Sequence, residues 1–390
     1  MKRAMLIILE RRIDAKGGHE QTQIAAIERL AETRDLAIVA CQNDAIFPRS
    51  FDDVRVRRVL TGHEAQRKNP DQALAHDLGQ MRALFTDNGP FPIGAALFVP
   101  TATAYDLKLV VHACRHAPDL IRFHVRLLEE RHFLALDSAE RRDLAQAVAE
   151  GQVRIVTETR ALSELMRQNW GIEAAYTMLL PCTLAPEEAL AHVPRAGWRQ
   201  VSFLGGMRNE KGRRELPAII AQLTKALRAG GPEFRTEFAM QARRRHRFWP
   251  KSLIYNLRVA LGAGMFWGRS PVRVRSLPAF MDATHFKAEL AQSDVMVVPY
   301  RVENYRNRGS GIIIDAVMAE VPLVYTQGIG MSELTEFGNG RAADSPEGFA
   351  AAIVDLLENP VATKAACQKA RAFTLLQIET AANYLKSLQN

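Results

Sequence analysis

Between Val201 and Leu216 the chain reads VSFLGGMRNEKGRREL. An apolar run ends at Leu204, a double glycine that includes Gly206 follows, and Arg208 and Lys211 stand in the loop before a helical pattern. Glycines let backbone amides approach a bound anion, and the amino end of the next helix adds partial positive charge. Arg208 can grip two oxygens at once, while Lys211 supplies a point charge. Two cations at a strand-to-helix turn suit a diphosphate. The plainer reading is a turn with solvent-facing charges.

A second stretch, Ala291 to Glu333, reads AQSDVMVVPYRVENYRNRGSGIIIDAVMAEVPLVYTQGIGMSE. Val295–Val298 has the pattern of a buried strand ending at Pro299 and Tyr300, and Gly309, Ser310 and Gly311 open the next helix, followed by Ile312. Small residues with free amides at a helix start form an anion cradle. Asp315 lies a helical turn further in, where a carboxylate accepts hydrogen bonds from ribose hydroxyls. On the plainer reading Ser310 caps the helix and Asp315 is solvated.

His112 and His116 have metal-ligand spacing, with Cys114 between them. No acidic or third histidine partner follows at motif spacing, so polar positions on an amphipathic helix explain them and no metal is expected. GxxxxGK[ST] does not occur, GxGxxG does not follow the first strand, and GxSxG is missing. These absences argue against a P-loop nucleotidase, a nicotinamide enzyme and an α/β-hydrolase.

The elements that position these residues alternate. In the first half, strand patterns at Ala4–Leu9, Leu36–Cys41, Val54–Leu60, Gly94–Val99, Leu120–Val125 and Val153–Thr157 are separated by helical periods, one of them from Glu64 to Phe85. Pro181 to Trp198 breaks the rhythm with three prolines and reads as a linker. Strand patterns resume at Gln200–Leu204, Phe234–Met240, Val272–Val274, Asp294–Pro299 and Pro322–Tyr325, and two helical patterns close the chain. This is α/β: two Rossmann-like βα domains facing across a cleft, with ligands expected at the carboxyl ends of the strands. The domains fall at 1–183 and 198–369, with a last helix at 370–390 returning to the first.

At 390 residues, with 47% apolar and 24% charged, the chain is built to bury large cores and is neither disordered nor fibrous. The opening MKRAMLIILERR imitates a signal peptide, but its apolar run is short and Glu10 closes it. Four cysteines without CxxC spacing indicate neither a disulfide framework nor a zinc finger, and a cytoplasmic location is expected. The net charge is +8, yet Gln241–Met281 alone holds nine basic residues and no acid. Phe248, Trp249, Tyr255, Phe266 and Trp267 lie among them. A solvated loop and helix is one reading; the other is a surface for anionic lipid or a phosphate-bearing acceptor, peripheral at the inner membrane face. Nucleic acid is not expected, because no helix-turn-helix, RNP or zinc pattern accompanies the patch.

The two chemistry-bearing stretches resemble the donor-binding half of the family 4 (retaining) glycosyltransferases, which have the GT-B fold. The resemblance runs through GGMRNEKG, SDVMVVPY, SGIIIDA and VPLVYTQGIGMSE, about 130 residues in the right order. It implies that Arg208 and Lys211 hold the donor diphosphate, that Ser310, Gly311 and Ile312 add contacts to it, and that Asp315 takes the ribose. KGGHEQT resembles the family's glycine-rich first loop, which places Gly17, Gly18 and His19 near the reacting sugar. By the same resemblance a catalytic histidine stands at a strand end in the first domain; His124, in LIRFHV, is the best positional match and His19 the second. The family's donor loop usually carries two glutamates. Here Asn307 and Asp315 occupy the corresponding positions, and Glu303 replaces the first if the loop is rearranged.

What the resemblance implies is a hexosyltransferase-type enzyme that moves a sugar from a nucleotide-diphosphate sugar to an acceptor hydroxyl, with retention. It needs no metal and no cofactor beyond the donor, and no Asp-x-Asp occurs to suggest otherwise. Its acceptor is lipid-linked or a saccharide, in the assembly of cell-surface polysaccharide or glycolipid. A nucleotide-sugar epimerase of the same fold and a non-catalytic sugar-nucleotide-binding relative are the alternatives.

Overall fold

The computed structural model describes residues 5–11, 13, 19–32, 35–42, 55–229, 234–241, 249–265 and 270–389. The expectations for Gly17, Gly18 and the segment 242–248 lie outside these residues, as do Phe266, Trp267 and Arg269. His19 opens a helix, His19–Ala31, but its side chain also lies outside them.

The chain divides into two compact units, Met1–Leu180 with Gln377–Asn390, and Pro181–Leu376. In the first unit six strands are named in chain order: β1 (Leu6–Leu9), β2 (Leu36–Cys41), β3 (Arg55–Leu60), β4 (Ala95–Ala102), β5 (Ile121–Leu127) and β6 (Val153–Thr157). They form one sheet in the order β3-β2-β1-β4-β5-β6, and every pairing is parallel. β1 and β2, LIIL and LAIVAC, are buried along their whole length, as central strands covered on both faces must be. Leu97, Leu109, Val110, Phe123, Leu144 and Ile155 belong to the core packed on this sheet.

The single helix expected from Glu64 to Phe85 is two, His63–Lys68 and Pro70–Leu84. Pro70 has no amide to continue the first helix but is well placed in the first turn of the second.

The second unit repeats the plan with β7 (Trp198–Phe203), β8 (Arg235–Gln241), β9 (Val272–Leu277), β10 (Val295–Val298), β11 (Leu323–Thr326) and β12 (Gly340–Ala343). Their order is β12-β11-β10-β7-β8-β9, again parallel throughout. β12, with the sequence GRAA, has no apolar run to announce it and closes one edge. Val201, Phe203, Ile219, Leu223, Phe238, Val297 and Ile353 form its core.

The proline-rich segment after Leu180 belongs to the second unit and is fastened along it. Lys287 pairs with Glu188, Arg371 donates to the Glu188 carbonyl at 3.1 Å, and the Val193 amide donates to the Ala291 carbonyl at 2.8 Å. The last helix, Pro360–Ser387, counts with the second unit up to Leu376 and with the first from Gln377.

Candidate functional site

In the second sheet β7 has β8 on one side and β10 on the other, so the chain order reverses between β7 and β10. Ligands of open α/β sheets bind outside the carboxyl ends of the strands at such a point. The turn after β7 and the turn after β10 meet there. Gly212 sits at φ +77°, and a Cβ added to it would lie 1.7 Å from the Pro299 carbonyl oxygen. Gly205, at φ +91°, would place a Cβ 2.6 Å from Ile312 Cγ1 and 2.9 Å from Lys211 Nζ. Only glycine combines a left-handed backbone with contacts this close. The sequence therefore brings Lys211 against the start of the Gly311–Met318 helix by removing the side chains that would hold them apart.

Lys211 ends a short 3-10 turn, Asn209–Lys211, and is 5% exposed. Its Nζ stands 5.2 Å from the centroid of the Tyr300 ring, and among the described residues no hydrogen bond or ion pair reaches it. Burial lowers its pKa to about 8, and the positive charges of Arg208 and Arg308 push the same way. A buried cation without a carboxylate costs free energy that a bound anion returns. Across from it, the amides of Gly311 and Ile312 make no backbone hydrogen bond, because they lie in the first turn of their helix.

Arg208 is about half exposed and its Nε lies 3.1 Å from Glu210 Oε1. An exposed pair of this kind is weak, so it leaves the guanidinium available to a ligand. Ser310 is buried and does not cap its helix; its Oγ lies 3.1 Å from Tyr300 Oη. Its amide donates to Met331 Sδ at 3.1 Å, a weak acceptor. The Gly206 amide is not open to a ligand, because it donates to Gln241 Oε1 at 2.5 Å. Tyr300 and Tyr305 pack with ring centroids 4.3 Å apart and planes tilted by 43°, and wall the site. Tyr300 and Met331 lie in the motifs SDVMVVPY and VPLVYTQGIGMSE, whereas Tyr305 and Gln241 carried no signal in the sequence.

Asp315 is placed differently from the plainer reading. It is 1% exposed rather than solvated, and its Oδ1 accepts the amides of Thr183 at 2.8 Å and Leu184 at 3.1 Å. That oxygen secures the segment entering the second unit. Its Oδ2 is buried without a hydrogen bond, and burial raises the carboxyl to about 6. Glu303 lies exposed on the turn of helix Val302–Tyr305, and Asn307 is half-buried.

His124 departs too. It is not at a strand end but in the middle of β5, in register with Phe98 of β4 and Arg154 of β6. Its Nδ1 lies 2.5 Å from Tyr384 Oη of the last helix, with the rings edge to face. Burial, reinforced by Arg154 and Arg122, lowers it to about 4. These are the surroundings of a neutral histidine that packs an element, and they do not hold a proton near neutrality. His112 and His116 keep their rings 6.3 Å apart, Cys114 is buried in the core, and among the described residues no three His, Cys, Asp or Glu side chains are grouped to hold a metal.

The first sheet reverses between β1 and β4, and there the structure places a buried polar cluster. Arg11, just past β1, grips Asp106 through Nε and Nη2, donates to Thr103 Oγ1 at 2.7 Å and also reaches Gln66. Glu10 accepts from Thr101. Arg126, fully buried, donates to Glu158 at 3.0 Å and to the Met178 carbonyl at 3.2 Å. The signal that could have found this cluster is the rule used for the second unit: charged residues directly after central strands.

Of the nine basic residues in Gln241–Met281, two are engaged by a buried carboxylate. Arg273 and Arg275 both pair with Glu237, which is buried and shares Arg195 with them.

Residues 273–359 are similar to the family described as glycosyl transferases group 1. No curated protein matches the sequence. Among solved structures, Anabaena HepE in complex with UDP and glucose is 13% identical with a TM-score of 0.63, over 98% of this chain and 97% of that one. The E. coli trehalose-6-phosphate structure bound with UDP-2-fluoro glucose is 12% identical, TM-score 0.65, over 99% of both. A glycosyltransferase from Rickettsia africae ESF-5 is 11% identical, TM-score 0.66, over 100% and 99%. Identities this low carry the fold alone, and that fold is GT-B.

Proposed function

We propose that the chain is a glycosyltransferase that moves a sugar from a nucleotide-diphosphate sugar to an acceptor hydroxyl. The observation that carries this reading is the buried, unpartnered Lys211 ammonium facing the free amides of a helix start. That arrangement fits an anion with two phosphoryl groups better than it fits a structural role. The similarity of residues 273–359 to group 1 glycosyl transferases supports the chemistry, and the UDP in the complexes above makes UDP and its sugars the first donors to try.

In this reading Lys211 and Arg208 neutralise the departing diphosphate by protein charge, without calling on a metal. The bond from the sugar's anomeric carbon to the phosphate oxygen breaks as the acceptor oxygen bonds to the same face. The acceptor's proton passes to the leaving phosphate oxygen, so the configuration is retained, as in family 4. The acceptor is a lipid-linked or free saccharide of polysaccharide or glycolipid assembly, and the protein works at the inner membrane face. Among the described residues no helix is long and apolar enough to cross a membrane.

The test is a melting-temperature screen against nucleoside diphosphates and their sugars, followed by donor turnover. Lys211→Ala and Arg208→Ala are each expected to lower turnover on the order of 10²-fold. Transfer at an unchanged rate by either variant removes that residue from the reading. A second reading, a relative that binds donor without transferring it, is favoured by the engagement of Asp315 Oδ1 with Thr183 and Leu184. Any donor hydrolysis that depends on Lys211 decides against it.

A further inference from the structure

The helix Trp249–Gly262 packs one side on the second unit and, among the described residues, leaves the other exposed. Val259 and Ala263 enter the core, and Gly262 lies so close to the Leu216–Arg228 helix that an added Cβ would stand 2.8 Å from the Pro217 carbonyl oxygen. Tyr255, on the same inner side, reaches the turn after β7, with its Oη 3.9 Å from Met207 Sδ. Leu253, Ile254, Leu257, Leu261 and Met265 face outward, 40% to 57% exposed. Among the described residues eleven large apolar side chains are exposed, and these five come from one stretch of helix and its end. At 100° per residue, Leu253, Leu257, Leu261 and Ile254 fall within one broad stripe, with exposed Arg258 at its margin. Scattered exposed leucines need no explanation, but a continuous stripe does.

The charges beside the stripe are of one sign. A groove of about 450 Å³ opens at Leu261 and Gly264, and Lys225 and Arg228 line it with no acid among its walls. No acid occurs anywhere from Gln241 to Met281. We infer that this face of the Trp249–Gly262 helix is an interfacial anchor for an anionic lipid bilayer, its five apolar side chains entering the acyl boundary and Arg258, Lys225 and Arg228 meeting the phosphate headgroups. An apolar stripe bordered by cations is the pattern of a helix lying in the plane of a bilayer surface. A second copy of the chain fits less well, because a symmetric contact would press the same cations against each other.

The inference does not depend on the donor reading, and the experiment separates the two. The protein is sedimented with vesicles of phosphatidylcholine alone and with vesicles containing one third phosphatidylglycerol, at low and high salt. Binding to the anionic vesicles, weakened by salt, is expected. Leu257→Glu and Ile254→Glu, exposed positions whose melting temperatures should match the parent's, are expected to weaken partition at least tenfold. Lys225→Glu with Arg228→Glu should remove most of the salt dependence. The inference is overturned if the parent ignores anionic vesicles, or if Leu257→Glu binds them as the parent does. It is also overturned if light scattering shows a parent dimer that Leu257→Glu dissolves while neither binds vesicles. The shift in melting temperature with UDP, read on the same samples, reports the donor site by itself.

Discussion

The ammonium of Lys211 lies 5.2 Å from the centre of the Tyr300 ring, and burial lowers its pKa to about 8. Because the folded value is below the ordinary 10.5, the unfolded chain holds this proton more tightly. The native state therefore gains stability as pH rises from about 8 toward 10.5, and bears the cost of the buried charge below that window. A diphosphate set against the ammonium favours the charged form. UDP binding is expected to take up a proton between about pH 8 and 10.5 and to weaken as pH rises through that range. Calorimetry in two buffers of different ionisation heat measures the uptake. In Lys211→Met the uptake should vanish, while the unliganded melting temperature should be no lower than the parent's.

Gly212→Ala is expected to be among the most damaging small changes in the second unit. The new methyl would collide with the backbone of Pro299, which cannot swing aside, and the residue would sit in a left-handed conformation. A loss of about 3 kcal/mol or more is expected. Gly205→Ala is strained at its φ of +91° too, but the methyl meets side chains, Ile312 and the end of Lys211, and no backbone. It should therefore cost less stability and more affinity for UDP. Urea unfolding and UDP titration of the two variants measure this crossed pattern.

Asp315 is held at about 6, above its ordinary 3.8, so between those values the native state binds more protons than the unfolded chain. Its charge is thus a stability cost that appears as pH rises from about 4 to 6 and is complete above. Asp315→Asn keeps an acceptor for Thr183 and Leu184 and drops the charge. Its melting temperature relative to the parent should climb across that pH window and then level off. Asp315→Ala strands both amides and should cost roughly 2–4 kcal/mol near pH 4, and less above pH 6 because it also removes the charge.

His124 titrates in the opposite sense. Its folded value, about 4, lies below the ordinary 6.5, so protons bind the unfolded chain first. Stability contributed by the neutral ring is complete above pH 6.5 and fades as pH falls toward 4, by roughly 3 kcal/mol at the limit. His124→Gln should flatten this acid limb in urea unfolding and leave turnover within about tenfold of the parent. A thousandfold fall in turnover with the fold intact would return the residue to the chemistry.

The repeating apolar runs made both sheets readable, because a strand buried on both faces must be apolar throughout, as in LIIL and VMVV. β12 escaped because an edge strand of four residues can be built from Gly, Arg and Ala. Arg208 and Lys211 were legible because a turn rich in glycine constrains where the next cations go. The fates of Asp315 and His124 were not. Each is decided by a partner more than a hundred residues away, Thr183 for one and Tyr384 for the other, and local spacing holds no record of such meetings. The Arg11 and Asp106 pair was hidden in the same way, Arg11 lying just past β1 and Asp106 in the first turn of the helix after β4.

The first unit is assembled from two ends of the chain, with Tyr384 and Leu385 from the last helix buried in it or bonded to it. The seat of Tyr384 stays open until the Pro360–Ser387 helix has been made, so the first sheet is finished later than its own strands are synthesised, and a substitution that unseats Tyr384 would leave a sound second unit attached to an unfinished first one, a natural target for quality-control proteases.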